Sequence, residues 1–208
     1  MTRKTSRPNA RGEESRQRIL AATFELANEL GYDGTSISMV SQRSGLPASS
    51  VYWHFENKDA LFAEVIESSF ERWLAGMPRW SVSASDADLG EVLAERMAAN
   101  IRGMASNPEF WRLGLMLTLE HRVVDTSARG RFLAVRARML EILERWWLRQ
   151  LPGEADLSRD LARFTLAASD GLFVSMQAGD GWDYDRLAEM LAHALAAWVM
   201  SDHLEQSS

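Results

Sequence analysis

The sequence predicts an all-α protein of about nine helices, and three observations carry that expectation. Apolar residues recur at spacings of three and four in segment after segment, the period of a helix that buries one face. Glycine and proline clusters cut the chain into pieces of helical length. No stretch makes a convincing strand.

Taken in order, the first helix runs from about Glu13 to Leu30, with Ile19, Thr23, Leu26 and Leu30 on its buried stripe and Gly31 ending it. Residues 34–61 are denser in signals and read as two short helices joined by a tight turn, followed by the start of a third. Ile37 and Val40 lie three apart on one face. Gly45 stops that helix, since glycine takes a left-handed cap conformation without steric cost. Leu46 turns inward, and Pro47 suits the first position of a new helix, where its missing N–H would be unpaired anyway. In that helix Val51 and Phe55 point one way, while Ala48, Ser49, Tyr52 and Trp53 point another. This is the layout of a helix-turn-helix, whose second helix enters the major groove of DNA.

The helix after Asn57 carries Leu61, Phe62, Val65, Ile66, Phe70 and Trp73 and breaks near Gly76-Met77-Pro78. Ser81–Asp88 is small and polar, a loop. Another helix ends near Met104, and Pro108 starts the next. Asp125–Gly130 reads as a second loop, ahead of a helix with Phe132, Val135, Met139, Ile142 and Trp146 that stops at Pro152-Gly153. Two final helices, about Asp156–Ala178 and Tyr184–Asp202, flank Gly179-Asp180-Gly181. The domain boundary is expected inside the long fourth helix, which would make that helix a mechanical connector between two cores.

The chain has no cysteine, which excludes a disulfide framework and a thiolate metal site. Its N-terminus lacks an apolar segment behind the basic residues, and Leu191–Met200 is too short to span a bilayer, so a soluble cytoplasmic protein is expected. The net charge of −6 divides unevenly. Residues 1–58 hold eight Lys or Arg and six Asp or Glu; residues 59–208 hold fifteen and twenty-three. Basic charge is therefore concentrated where phosphate would be met, most densely in the first eleven residues.

Gly45-Leu46-Pro47, Val51-Tyr52-Trp53-His54-Phe55 and Asn57-Lys58-Asp59-Ala60-Leu61 together resemble the signature of the TetR (tetracycline-repressor) family of regulators. Arg18-Ile19-Leu20-Ala21-Ala22, Phe24 and Gly31-Tyr32-Asp33-Gly34-Thr35-Ser36 fit the same resemblance, which covers roughly residues 14–66. It implies three regions: a basic disordered arm at 1–12, a helix-turn-helix domain at 13–60, and a helical effector-binding and dimerisation domain at 61–208. It also places Ser38 on the outer face of the second helix, and Pro47, Ala48, Ser49, Ser50, Tyr52 and Trp53 on the recognition helix. Thr35 or Ser36 would cap the second helix near a phosphate. Lys58 would clamp a phosphate, and His54 would bond phosphate or backbone. The recognition helix has no Arg, Lys, Asn or Gln to read a base through two hydrogen bonds. Either Arg43 or the N-terminal arm then contributes, or specificity leans on apolar contacts, water and DNA shape.

Eight tryptophans and ten methionines stand in this chain. Any one reads as ordinary core packing. Together, Trp80, Met97, Met104, Trp111, Met116, Met139 and Trp146 suit an adaptable cavity for a hydrophobic or aromatic ligand, with Glu120, His121 and Arg122 at its end. On the last two helices, Leu161, Phe164, Ala168, Gly171 and Leu172, with Leu191, Leu195 and Trp198, recur at helical spacing among small residues. The resemblance implies that these helices pair with their copies in a homodimer.

The function expected is a repressor released from a palindromic operator by a small molecule. The alternatives are a DNA-binding regulator without small-molecule input and a regulator activated by its ligand. Catalysis finds no footing: no Gly-rich phosphate loop, no G-x-S-x-G and no H-E-x-x-H is present. Glu189 and His193 read as a surface helix pair rather than a metal site, and no cofactor is expected.

Overall fold

A computed structural model describes residues 7–77, 89–119 and 127–206, and these form nine helices and no strand. They are α1 (Arg7–Gly34), α2 (Ile37–Ser44), α3 (Ala48–His54), α4 (Lys58–Gly76), α5 (Leu89–Ser106), α6 (Pro108–Leu119), α7 (Ser127–Gln150), α8 (Ala155–Ala178) and α9 (Tyr184–Gln206). Trp80, the Ser81–Asp88 loop, Glu120, His121, Arg122 and the first six residues lie outside the described residues.

Helix α1 starts at Arg7, so residues 7–12 are helical rather than part of a disordered arm. Pro8 in the first turn is a start signal that the reading from Glu13 passed over. The helix is interrupted at Gly31, where φ 71° and ψ −173° place the backbone in a region open only to glycine. A Cβ there would also lie 2.7 Å from Met116 Cε. Leu30, expected on the buried stripe, is 45% exposed, because Ala27 and Tyr32 take the inward positions around the break.

The chain divides into two units. One takes in residues up to Glu71 together with Glu109–Val135; the other takes in Arg72–Pro108 and Arg136–Ser208. This differs from a cut between residues 60 and 61, for a packing reason. In the first unit the Phe110 ring lies 5.5 Å from Phe70 on α4 and 5.4 Å from Phe132 on α7, so α6 and the start of α7 share the core of α4. Gly114 allows the closest approach, since a Cβ there would be 1.9 Å from the Phe132 ring.

Asp125–Gly130 was expected as a loop, yet α7 begins at Ser127. The carboxylate of Asp59, on α4, accepts hydrogen bonds from the N–H groups of Ser127 (2.5 Å) and Ala128 (3.1 Å). A cap supplied from 68 residues away leaves no local signal.

In the second unit α5 packs along α9 and also meets α8. Leu93, Met97, Ile101 and Met104 of α5 are buried, as are Ala188, Ala192, Leu195 and Val199 of α9. Trp146 and Trp147 are fully buried, their rings edge to face at 4.9 Å. Arg136 on α7 donates two hydrogen bonds to the Asp170 carboxylate on α8, at 2.8 and 2.7 Å.

Candidate nucleic-acid interface and internal cavity

Local hydrogen bonds set the geometry of the helix-turn-helix. Ser36 is the N-cap of α2, its hydroxyl accepting from the Met39 N–H at 3.3 Å. Gly45 follows α2 with φ 66° and ψ 24°, the left-handed conformation that closes a helix. Across the turn, the Leu46 N–H donates to the Ser41 carbonyl, and the Ser41 hydroxyl donates to the Leu46 carbonyl at 2.7 Å. Arg18 on α1 donates to the last α2 carbonyl, Ser44 O, at 2.6 Å, where the helix dipole favours a cation. Pro47 occupies the N-cap of α3 rather than its first helical position.

Val51 and Phe55 are buried, while Tyr52 is 57% and Trp53 76% exposed. An aromatic pair this exposed on one short helix suits a surface that meets a partner. Ser38, Pro47, Ala48 and Ser49 are exposed, and Ser50 is half-buried. Thr35 differs: it is buried, and its hydroxyl donates to the Gly31 carbonyl at 2.8 Å, so the cap of α2 falls to Ser36 alone. Lys58 is half-buried, its ammonium 4.4 Å from the centre of the Tyr32 ring. Asn57 Oδ1 accepts from the Ala60 N–H at 2.8 Å and caps α4.

His54 stacks edge to face on Trp53 at 4.5 Å. Burial lowers its pKa, and the nearby Arg16 charge lowers it further against a smaller opposite pull from Glu13. The imidazole is therefore neutral at physiological pH and acts as a single N–H donor.

Arg43, a candidate for reading bases, is held elsewhere. Its guanidinium forks onto Glu29 at 2.8 and 2.9 Å and reaches Glu25 at 3.1 Å, both on α1. The hydrogen bonds it donates to Glu29 and then Glu25 raise its pKa, and the same fork lowers that of Glu29. Two residues that the recognition-helix reading did not select come forward instead. Arg11 and Ser15 on α1 line an open cleft of about 420 Å³ with Gly12, Ser49, Ser50, Trp53 and His54. The clue available in the sequence was the helical start at Pro8, which turns Arg11 from an arm residue into one fixed on a helix.

A separate cavity of about 30 Å³ lies within the second unit. Helix α4 contributes Trp73 and Leu74, α5 Asn100, α7 Met139, Ile142 and Leu143, and α8 Thr165, Leu166 and Ser169. Of the residues expected to line a pocket, Met139 is in the wall of this cavity. Met97, Met104 and Trp146 are core residues of the same unit. Trp111 and Met116 belong to the first unit. Tryptophan and methionine content pointed to the apolar character of this region but passed over Asn100, Thr165 and Ser169. Three polar residues on otherwise apolar faces were the signal.

Among the residues expected at a dimer interface, Phe164, Gly171 and Trp198 are exposed, Ala168, Leu172 and Leu191 are half-buried, and Leu161 and Leu195 are buried inside the chain itself. Val174 and Met190 add further exposed apolar area to α8 and α9. No helix among the described residues is long and apolar enough to cross a membrane. No cluster of metal-ligating side chains occurs among them.

Residues 19–65 match the family model of bacterial regulatory proteins, tetR family. The chain is 35% identical over 69 residues to the HTH-type transcriptional regulator AcrR of Shigella flexneri, covering 33% of this chain and 31% of that protein. It is 34% identical over 70 residues to the class A tetracycline repressor protein from transposon 1721 of Escherichia coli, covering 34% and 31%. The matched part thus spans about a third of the length of these curated relatives. The solved structure of the fatty acid degradation regulator FadR from Bacillus halodurans shares the fold, with a TM-score of 0.69, 16% identity, and 87% of this chain and 94% of that one covered. Residues 19–65 thus carry a helix-turn-helix segment of the kind found in the tetR family of bacterial regulatory proteins.

Proposed function

We propose that this protein is a cytoplasmic, ligand-responsive transcriptional repressor, a homodimer that leaves a palindromic operator when a small molecule fills the cavity of its second unit. The observation that carries this reading is the span of α4. Its first turn, at Lys58, follows the recognition helix after three residues, and its last turns place Trp73 and Leu74 in the cavity wall. A shift imposed on Trp73 would pass along α4 towards the residues that follow the recognition helix. Phe110 against Phe70, and Asp59 at the start of α7, give α6 and α7 a hold on the same helix.

On the DNA side, Ser38, Ala48, Ser49, Ser50, Tyr52 and Trp53 face the major groove. Arg11, Ser15, Ser36, His54 and Lys58 serve its phosphates. With Arg43 tied to α1, base reading falls to serine hydroxyls, the Ala48 methyl and the two aromatic rings, together with DNA shape. The exposed strips of α8 and α9, with Phe164, Gly171 and Trp198, form the contact between copies. The two recognition helices would then meet half-sites about one helical turn, roughly 34–36 Å, apart.

The small cavity favours one competing reading, a DNA-binding regulator with no small-molecule input. One experiment separates the two. A symmetric operator is first selected from random DNA, and apolar and aromatic compounds are then titrated while tryptophan fluorescence and operator affinity are followed together. A coupling of about 1–3 kcal/mol, or about 5- to 150-fold in affinity, is expected. A compound that saturates the fluorescence change and leaves operator affinity untouched defeats the ligand-responsive reading. Failure to recover any symmetric site defeats the operator itself.

A further inference from the structure

We infer that the cavity of the second unit selects an uncharged ligand by a hydrogen-bond donor, a hydroxyl or N–H group, that is received by Asn100. The inference rests on the ligand-responsive reading above and adds the chemistry of the ligand.

The cavity wall contains a chain of hydrogen bonds whose directions are determined by donor counting. The Ser169 hydroxyl donates its one hydrogen to the Thr165 carbonyl at 2.9 Å. Towards Asn100, 2.9 Å away, Ser169 can therefore only accept, which makes the Asn100 partner Nδ2 and fixes the orientation of the amide. Thr165 has no hydrogen to spare: its hydroxyl donates to the Leu161 carbonyl at 2.7 Å and accepts from Trp147 Nε1 at 3.4 Å. Each hydroxyl keeps one acceptor lone pair, whereas Asn100 keeps a carbonyl oxygen, Oδ1, with both lone pairs, and one Nδ2 hydrogen. Asn100 is 7% exposed, and its amide makes no other hydrogen bond among the described residues. A carbonyl oxygen in a largely apolar wall costs free energy until a donor reaches it, so a ligand that brings one is favoured over its hydrocarbon analogue.

The wall also excludes charge. None of its residues is ionisable, so a carboxylate or ammonium would lose its water without gaining a counter-ion. Nearby, Arg136 and Asp170 already satisfy one another. Arg96 is buried one helical turn before Asn100 on α5 and does not line the cavity. At about 30 Å³ the cavity holds on the order of two water molecules, so an organic ligand enters by displacing side chains. Met139, unbranched and with three rotatable bonds, is the part of the wall best able to yield.

The test uses the full-length protein and three compounds of one skeleton: phenylbutanol, phenylbutyrate and butylbenzene. Binding is followed by tryptophan fluorescence, and operator release in parallel. Phenylbutanol is expected to bind roughly tenfold more tightly than butylbenzene, the ratio of one buried hydrogen bond, with phenylbutyrate weakest. Asn100→Leu should erase the advantage of the alcohol over the hydrocarbon. Ser169→Ala, a smaller change that removes the partner positioning the amide, should reduce it, with the unfolding midpoint confirming a folded chain. The inference is overturned if phenylbutanol fails to bind, or if its advantage survives Asn100→Leu. It is overturned equally if phenylbutyrate binds most tightly and loses that affinity in Arg96→Leu. If phenylbutyrate or butylbenzene binds best and releases the operator, the donor rule fails while the ligand-responsive reading stands. An Asn100-dependent preference for the alcohol with no effect on operator affinity leaves the donor rule standing and removes the regulatory reading.

Discussion

In the helix-turn-helix most polar contacts that shape the backbone join residues three to five apart, as in Ser36 with Met39 and Ser41 with Leu46, with Arg18 to Ser44 the long-range exception. In the second unit they join residues far apart, as in Asn100 with Ser169 and Arg136 with Asp170. The aromatic residues differ in the same sense. Trp53 is 76% exposed, whereas Trp146 and Trp147 are fully buried. One region is a short, locally determined device that leaves its aromatic and hydroxyl groups on the surface. The other is an ordinary helical core that closes over its few polar groups and leaves apolar strips of α8 and α9 exposed. Function is thus divided between a surface that costs the fold little and an interior that the fold cannot do without.

That contrast breaks most visibly at the tryptophans. Trp147→Ala is expected to cost about 3–5 kcal/mol in chemical denaturation, from lost burial and the cavity left behind. Trp53→Ala should stay within about 0.5 kcal/mol while weakening operator binding. Equal losses of stability would end the distinction between the two regions. Next in size is Gly114→Ala. A methyl group inside the Phe132 ring forces α6 and α7 apart, at about 1–3 kcal/mol, read as a lower unfolding midpoint.

Ser36→Ala tests how local the helix-turn-helix is. Loss of the α2 cap should cost about 1 kcal/mol and lower operator affinity, while binding of any compound to the second unit stays unchanged. Asp59→Asn gives the smallest effect and depends on pH. Burial raises the Asp59 pKa, but hydrogen bonds from Ser127, Ala128 and Tyr32 outweigh it and hold the folded value below the ordinary one. Its contribution is therefore full above the unfolded value, near pH 4, and is lost as pH falls through the lower folded value. The wild type should exceed Asp59→Asn by about 0.3–1 kcal/mol at neutral pH. That gap should close in acid. A constant gap down to pH 2 would show that the ionised cap contributes nothing.

The sequence by itself determined what short-range physics encodes. Helical periodicity, Gly31 and Gly45 at backbone positions that favour glycine, and the Asn57 cap are properties of neighbouring residues, so the elements and the helix-turn-helix could be read directly. The exposed positions of Ser38, Ala48, Ser49, Tyr52 and Trp53 follow from the same period. Tertiary structure alone decided the rest. The start of α7 at Ser127 depends on a carboxylate from α4, and the loss of Arg43 as a base reader depends on two carboxylates from α1. The cavity wall also draws one or a few residues from each of four helices. Such groups meet only when the chain folds back on itself, and burial then sets which of their hydrogen bonds are made. No window of sequence contains both partners at a spacing that could announce them.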